Sequence, residues 1–220
     1  MLRTLLLTSV FLNIALLIGR LSGFLRELLV AHVYGATDKA DVVIILMTLP
    51  DLLVSLLVGG ALSATLIPMF VRSPSTSNVL LVQVSLILFF IFSLIASLIY
   101  IFSAEFISLL APGFDSVRVG MLKTYIPVVL LLLPLSVVTG VLTAYLQANN
   151  KFVIAGMGTL IFNSCIIIGL FYMLMINDNS ILTLVLFMCL GGSARYLSQC
   201  IAARISLNIH IFNNSLITFD

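Results

Sequence analysis

Between Asn78 and Phe102 the chain runs without a single charged side chain. A helix needs about 20 consecutive apolar residues to cross the hydrocarbon core of a bilayer, and this run supplies them with residues to spare. Similar runs extend from Leu5 to about Val33, from about Ala40 to Val71, and from about Met121 to Leu146. Two more cover about Val153 to Ile176 and about Ile181 to Arg204. The pattern predicts an all-α, polytopic membrane helical bundle of about six transmembrane helices.

The totals agree with that class. Charged residues are 8% of the 220 and mean hydropathy is +1.29, whereas a soluble domain carries about 25% charged residues. A soluble chain of this composition would leave large apolar patches in water. The net charge of +2, without a dense basic run, does not predict a nucleic-acid partner. Cys165, Cys189 and Cys200 lie in apolar stretches with no paired spacing and read as small buried residues, not metal ligands or disulfides.

The first apolar run follows a single Arg3 in the manner of a signal peptide. The Gly-Arg-Leu-Ser-Gly stretch that ends it lacks a small-x-small cleavage pattern, so it is expected to be a retained helix. The second run holds Pro50 and Gly59-Gly60, and the fourth holds Pro127 and Pro134. Ser103 to Gly120 reads as a polar connection with Ala111 to Phe114 as its turn. The short connections Gln147 to Lys151 and Asn177 to Ser180 make neighbouring helices antiparallel. Residues 1–205 therefore form one transmembrane lobe, followed by a short polar tail over 206–220. Lys and Arg in short loops mark the cytoplasmic side. Arg3, Arg72, Lys151 and Arg204 against the mixed charges at Lys39, Arg118 and Lys123 place both termini in the cytoplasm.

Five charges break the first two runs: Arg20, Arg26, Glu27, Asp41 and Asp51. Ionisable residues at membrane depth are costly and belong in a cavity or against a partner. Asn13, Arg20 and Glu27 repeat every seven residues and share one helical face. Arg26 stands about a third of a turn away from Arg20, so the two guanidiniums flank a wide sector. Each is a planar fork that matches phosphate oxygens in pairs. The sector therefore suits an anion with several oxygens. Asp41 is placed to pair with an Arg of the empty site, and Pro50 kinks the helix beside Asp51, freeing carbonyls toward a cavity. The competing reading makes these charges structural: Arg20 with Glu27, and Arg26 with Asp41 or Asp51, as ion pairs that fix helix packing.

The glycines at Gly59-Gly60, Gly140, Gly156 and Gly158 are expected to let helices approach closely. Asn163, alone in its apolar run, is expected to bond a neighbouring helix. The chain contains no Ser/His/Asp arrangement, no phosphate-cradling Gly loop and no metal spacing. It is expected to be neither an enzyme nor a cofactor or metal binder.

Gly19-Arg20-Leu21-Ser22-Gly23-Phe24-Leu25-Arg26-Glu27, Val33-Tyr34-Gly35-Ala36 with Asp41, and Leu49-Pro50-Asp51-Leu52-Leu53 together form a recognisable set. With Gly60 to Ser63, Leu110 to Phe114, Leu146 to Phe152 and Asn163, they resemble the MurJ (MviN) lipid II flippases, within the multidrug and oligosaccharidyl-lipid exporters. The resemblance extends to about Ile205. It implies an inner-membrane flippase that moves a lipid-linked sugar pyrophosphate by alternating access among membrane lipids. It further implies Arg20 and Arg26 as headgroup contacts and Asp41 as an acid near the outer gate, with Glu27 and Asp51 as ion-pair candidates. Val54 and Gly59 stand where that family usually has Arg and Glu, and Asp51 where it has Asn. The family has two lobes, so the resemblance implies one lobe of a two-lobe flippase, completed by a second lobe or a second copy. The alternative is a non-transporting structural or regulatory membrane protein, or a degenerate truncated one.

Overall fold

The computed structural model describes the backbone of residues 2–57, 61–72 and 76–203, and the side chains of 17–50, 64–72 and 76–203. The polar tail, and the side chains of Asn13, Asp51, Val54 and Gly59, lie outside the described residues.

The described residues form nine helices and no strand: α1 (Leu2–Tyr34), α2 (Asp38–Leu57), α3 (Ala61–Arg72), α4 (Ser77–Ile101), α5 (Ser103–Leu110), α6 (Ser116–Leu130), α7 (Leu132–Ala148), α8 (Phe152–Met175) and α9 (Ile181–Ala203). This is an all-α membrane bundle. Among the described residues, α4, α8 and α9 are each long and apolar enough to cross a membrane, and α6 with α7 makes a fourth span if counted as one.

Two expected elements are subdivided. The run over 40–71 is described as α2 and α3, with 58–60 outside the described residues. The expected connection over 103–120 contains a helix of its own, because Phe106, Ile107 and Leu110 recur at helical spacing and pack on the core. The run over 121–146 breaks at Leu131, where α6 and α7 meet at about 40°. Pro134 has no N–H for the carbonyl of Leu130, and its ring crowds that carbonyl. At Pro50, by contrast, α2 continues without a break.

The turns follow from local chemistry. Gly35 takes a left-handed conformation at φ +59° and closes α1, the usual C-terminal use of glycine. The Thr37 carbonyl then accepts from the amide of Ala40 at 2.9 Å and opens α2. Asn150 and Asn177 do the same work for α7 and α8 at φ 61° and 54°. Behind them, Lys151 N–H reaches Leu146 O at 2.8 Å and Asp178 N–H reaches Met173 O at 2.9 Å. Both connections reverse the chain within a few residues, as their brevity predicts.

Helix α1 lies along α8, α8 along α9, and α7 sits among α3, α4, α8 and α9. The larger core joins Val43, Leu46, Ile126, Ile166, Leu170 and Leu184 from four helices. A second cluster gathers Leu66, Phe70, Leu81 and Leu142, with the Tyr145 ring edge-on to Phe70 at 5.5 Å between centroids. Close approach of α8 and α9 depends on glycine. A β-carbon at Gly191 would meet the Phe162 carbonyl oxygen and Cys165 Cβ at 3.1 Å, and one at Gly158 would meet Gln199 Nε2 at 2.9 Å. Gly156 faces open space, so the close-approach expectation applies to Gly158 and not to its neighbour.

Gly191→Leu is expected to lower stability by about 1–3 kcal/mol through overpacking against backbone that has no room to yield. Gly120→Ala, with nothing within 4 Å, is expected to raise it by up to ~1 kcal/mol through helix propensity. Thermal unfolding of the two variants in detergent checks both signs. A second test concerns the α8–α9 turn. The hydroxyl of Thr183 and the Ser180 amide donate to the Asp178 carboxylate at 2.7 and 2.8 Å, and these bonds hold its pKa below the ordinary 3.8. A depressed carboxylate contributes stability that is fully present above the unfolded value and lost as pH falls through the folded one. Acid titration of the wild type below pH 3.8 should therefore show a loss that Asp178→Asn does not.

Candidate functional site

The charges of the first helix divide between two faces. Gly19, Ser22, Gly23 and Arg26 fall at i, i+3, i+4 and i+7, which puts them on one side of α1, and α8 packs there. The three small residues let α8 come close. The partner they receive is Asn163, 3% exposed. Its Nδ2 donates to Ser22 Oγ at 3.1 Å and to the Gly19 carbonyl at 3.4 Å. Ser22 Oγ in turn donates to Gly19 O at 2.7 Å. The remaining acceptor, Asn163 Oδ1, takes a hydrogen bond from Arg26 Nη1 at 3.0 Å.

Arg26 is therefore nearly enclosed, with 11% of its side chain exposed. Glu27 Oε1 lies 3.7 Å from Arg26 Nη2, but Glu27 itself is 70% exposed, so this pair is a peripheral one. Arg26 Nε is buried and has no hydrogen-bond partner among the described residues. A guanidinium with one neutral acceptor, one distant carboxylate and one orphaned donor still has capacity for an anion. Its planar fork fixes the direction from which oxygens must come.

Arg20 lies on the other face, exposed together with Leu17, Leu21, Phe24, Glu27 and Leu28. The two guanidiniums thus lie on different faces of α1, one held by Asn163 and the other exposed. On α2, Asp41 is exposed and begins a stripe continued by exposed Ile44 and Thr48, while Val42, Val43, Leu46 and Leu49 form the buried face. The backbone of Asp51 lies within α2.

Asp41 pairs with an arginine, but not with one from α1. Arg118 Nε lies 3.3 Å from Asp41 Oδ2, and Arg118 Nη2 and Nε donate to Asp38 Oδ1 at 2.6 and 2.9 Å. The guanidinium also stacks 5.7 Å from the centroid of Phe114, a favourable cation–π geometry. Asp115 supports the arrangement by capping α6, its carboxylate accepting from the Arg118 amide at 3.0 Å. Sequence reasoning treats Arg118 as a loop charge and does not bring it to Asp41. The available signal is the Asp115 cap, which starts a helix and makes Arg118 a first-turn residue.

The same end of the bundle holds two further ties. Lys39 Nζ donates to Asn179 Oδ1 at 2.7 Å and Tyr34 Oη to the Ser180 carbonyl at 3.3 Å. Together with the Arg118 bridge they join the α1–α2 turn to the start of α6 and to the α8–α9 turn. At the opposite end, Lys151 Nζ donates to the Ala202 carbonyl of α9 at 3.0 Å. Among the described residues no group of three or more His, Cys, Asp or Glu is assembled that could hold a metal ion.

The chain is similar to proteins described as probable lipid II flippases MurJ. One from Buchnera aphidicola subsp. Schizaphis graminum is 27% identical over 191 residues, 82% of this chain and 36% of the relative. One from Buchnera aphidicola subsp. Baizongia pistaciae is 26% identical over 199 residues, 86% of this chain and 38% of the relative. A third, from Rickettsia prowazekii, is 27% identical over 175 residues, 75% of this chain and 34% of the relative. The chain spans little more than a third of the length of these relatives. The family model for the lipid II flippase MurJ matches residues 30–211, most of the chain, and with an all-helical membrane bundle beneath that match the chain belongs to the MurJ lipid II flippase family.

Proposed function

We propose that this chain is the headgroup-binding lobe of a flippase that moves a lipid-linked sugar pyrophosphate, of the lipid II type, across the inner membrane. The observation that carries the reading is Arg26: a guanidinium held at 3.0 Å by Asn163 with a buried, unpartnered Nε. Arg26 supplies a fixed, preorganised fork and Arg20 a mobile one that reaches the anion from the open face of α1, while the rest of the headgroup stays wet. Asn163 is a positioning residue, acting on the anion through Arg26. Glu27 and Asp51 are ion-pair partners whose negative charge keeps the arginines from collapsing onto other acceptors. Asp41 is the gate acid, and Arg118 is the partner that holds it while the gate is at rest.

The open face of α1 bearing Arg20 and Glu27 needs a facing wall before it encloses a headgroup. That wall comes from further helices, whether on a longer polypeptide or on a second copy, because alternating access moves one bundle against another. Both termini lie on the cytoplasmic side. The basic residues Arg3, Arg72, Lys151 and Arg204, against Lys39, Arg118 and Lys123 on the other side, support that orientation.

A second reading has its own observation: Arg26 is bonded within the bundle, as a packing residue would be. The two readings differ in what Arg20 does, since Arg20 is exposed and has little packing to lose. The test is rescue of cells depleted of their lipid II flippase by a relative carrying this chain in place of its matching residues. Arg20→Ala is expected to abolish rescue with membrane protein level and melting temperature unchanged. Arg26→Ala is expected to abolish rescue and to lower stability as well. Unimpaired growth with Arg20→Ala would overturn the assignment, and stability loss without loss of rescue in Arg26→Ala would favour the packing reading.

A further inference from the structure

A cavity of about 590 Å³ lies between α4 and the bend at Leu131 that joins α6 to α7. Ala96, Ser97 and Tyr100 form one wall, and Pro127, Leu131 and Pro134 the other. Its size falls within the ~300–1,000 Å³ of small-molecule sites. Its walls are largely hydrocarbon, and the Ser97 hydroxyl is already occupied by the Ser93 carbonyl at 2.8 Å.

The groove opens where the bundle meets the bilayer. On α4, Phe90, Leu94, Leu98 and Ile101 are all exposed, and only 11% of that span is buried. At one end of the groove is Tyr100, near the end of α4, where an amphipathic ring suits the membrane interface. One turn before Pro127, and so on the same face of α6, stands Lys123. It is exposed and has no ion pair or hydrogen bond among the described residues. An apolar slot with a free ammonium beyond its interfacial end matches a hydrocarbon chain attached to a phosphate.

We propose that the groove between α4 and the α6–α7 bend binds one acyl chain of a membrane phospholipid, with the Lys123 ammonium on its phosphate. A single exposed cation suits one phosphodiester better than a pyrophosphate, whose greater charge calls for the paired forks of Arg20 and Arg26. The site is built by α4, α6 and α7, whereas α1 packs chiefly on α8, so it stands or falls independently of the headgroup reading.

Native mass spectrometry of the full chain, carried from phosphatidylglycerol vesicles through a delipidating detergent wash, tests the site. The wild type is expected to keep one phospholipid. Ala96→Phe, which fills the slot, should abolish retention, and Lys123→Gln should weaken it about fivefold, the loss of one lysine contact near a membrane surface. Circular dichroism verifies folding. If Ala96→Phe loses helicity, Ser97→Leu on the exposed rim takes its place with the same expectation. Equal retention by wild type and both variants, no retention by the wild type, or displacement of the phospholipid by an equal concentration of a polyprenyl pyrophosphate would overturn the proposal.

Discussion

The arrangement of this bundle depends on one buried amide. A guanidinium inside a bilayer carries a penalty of about 2.5–3.5 kcal/mol even on the mildest insertion scale, and Arg26 is nearly enclosed. Asn163 offsets part of that cost by giving its oxygen to Arg26 while its NH₂ reaches Ser22 and the Gly19 carbonyl. An amide that serves both a charged side chain and the facing backbone locks α1 to α8 in rotation as well as distance. Interhelical hydrogen bonds of this sort contribute about 0.6–2 kcal/mol in membranes. The geometric consequence outweighs the energy. With Arg26 turned to α8, Arg20 and Glu27 have to face outward.

The two ends of the bundle are held by different chemistry. At one end a network of charges and amides, with Arg118 at its centre, ties three connections together at exposed positions where salt bridges are individually weak. At the other, Lys151 meets the Ala202 carbonyl, and the Tyr145 ring packs edge-on to Phe70 while its hydroxyl donates to Asn78 Oδ1 at 2.6 Å. Beneath the charged ties the core continues, with Tyr34, Ala40, Leu122 and Ile181 all buried.

Much of this was legible in the residues. Membrane-length apolar runs located α4, α8 and α9 to within a residue or two, and the short Asn-rich connections located the reversals. Pro127 and Pro134 stand in the fourth run, and the bend at Leu131 falls between them. Less legible was anything decided by distant neighbours. Asp41 and Arg118 are far apart in sequence, and no periodicity links them; only the packing of α2 on α6 does. The helix within 103–120 was hidden because its polar Ser103 and Glu105 outweigh the spacing of Phe106, Ile107 and Leu110. The spacing of Arg20 and Arg26 put them on different faces, but which of the two meets α8 was settled by the small residues Gly19, Ser22 and Gly23.

The most direct measurement is a double-mutant cycle on affinity for a polyprenyl pyrophosphate, comparing the reconstituted chain with Arg26→Gln, Asn163→Leu and the double variant. If Asn163 acts on the anion through Arg26, the double variant binds no more weakly than Arg26→Gln alone, a coupling well beyond the ~0.5 kcal/mol expected of independent sites. Losses that simply add, or affinity unchanged in Arg26→Gln, would contradict the account.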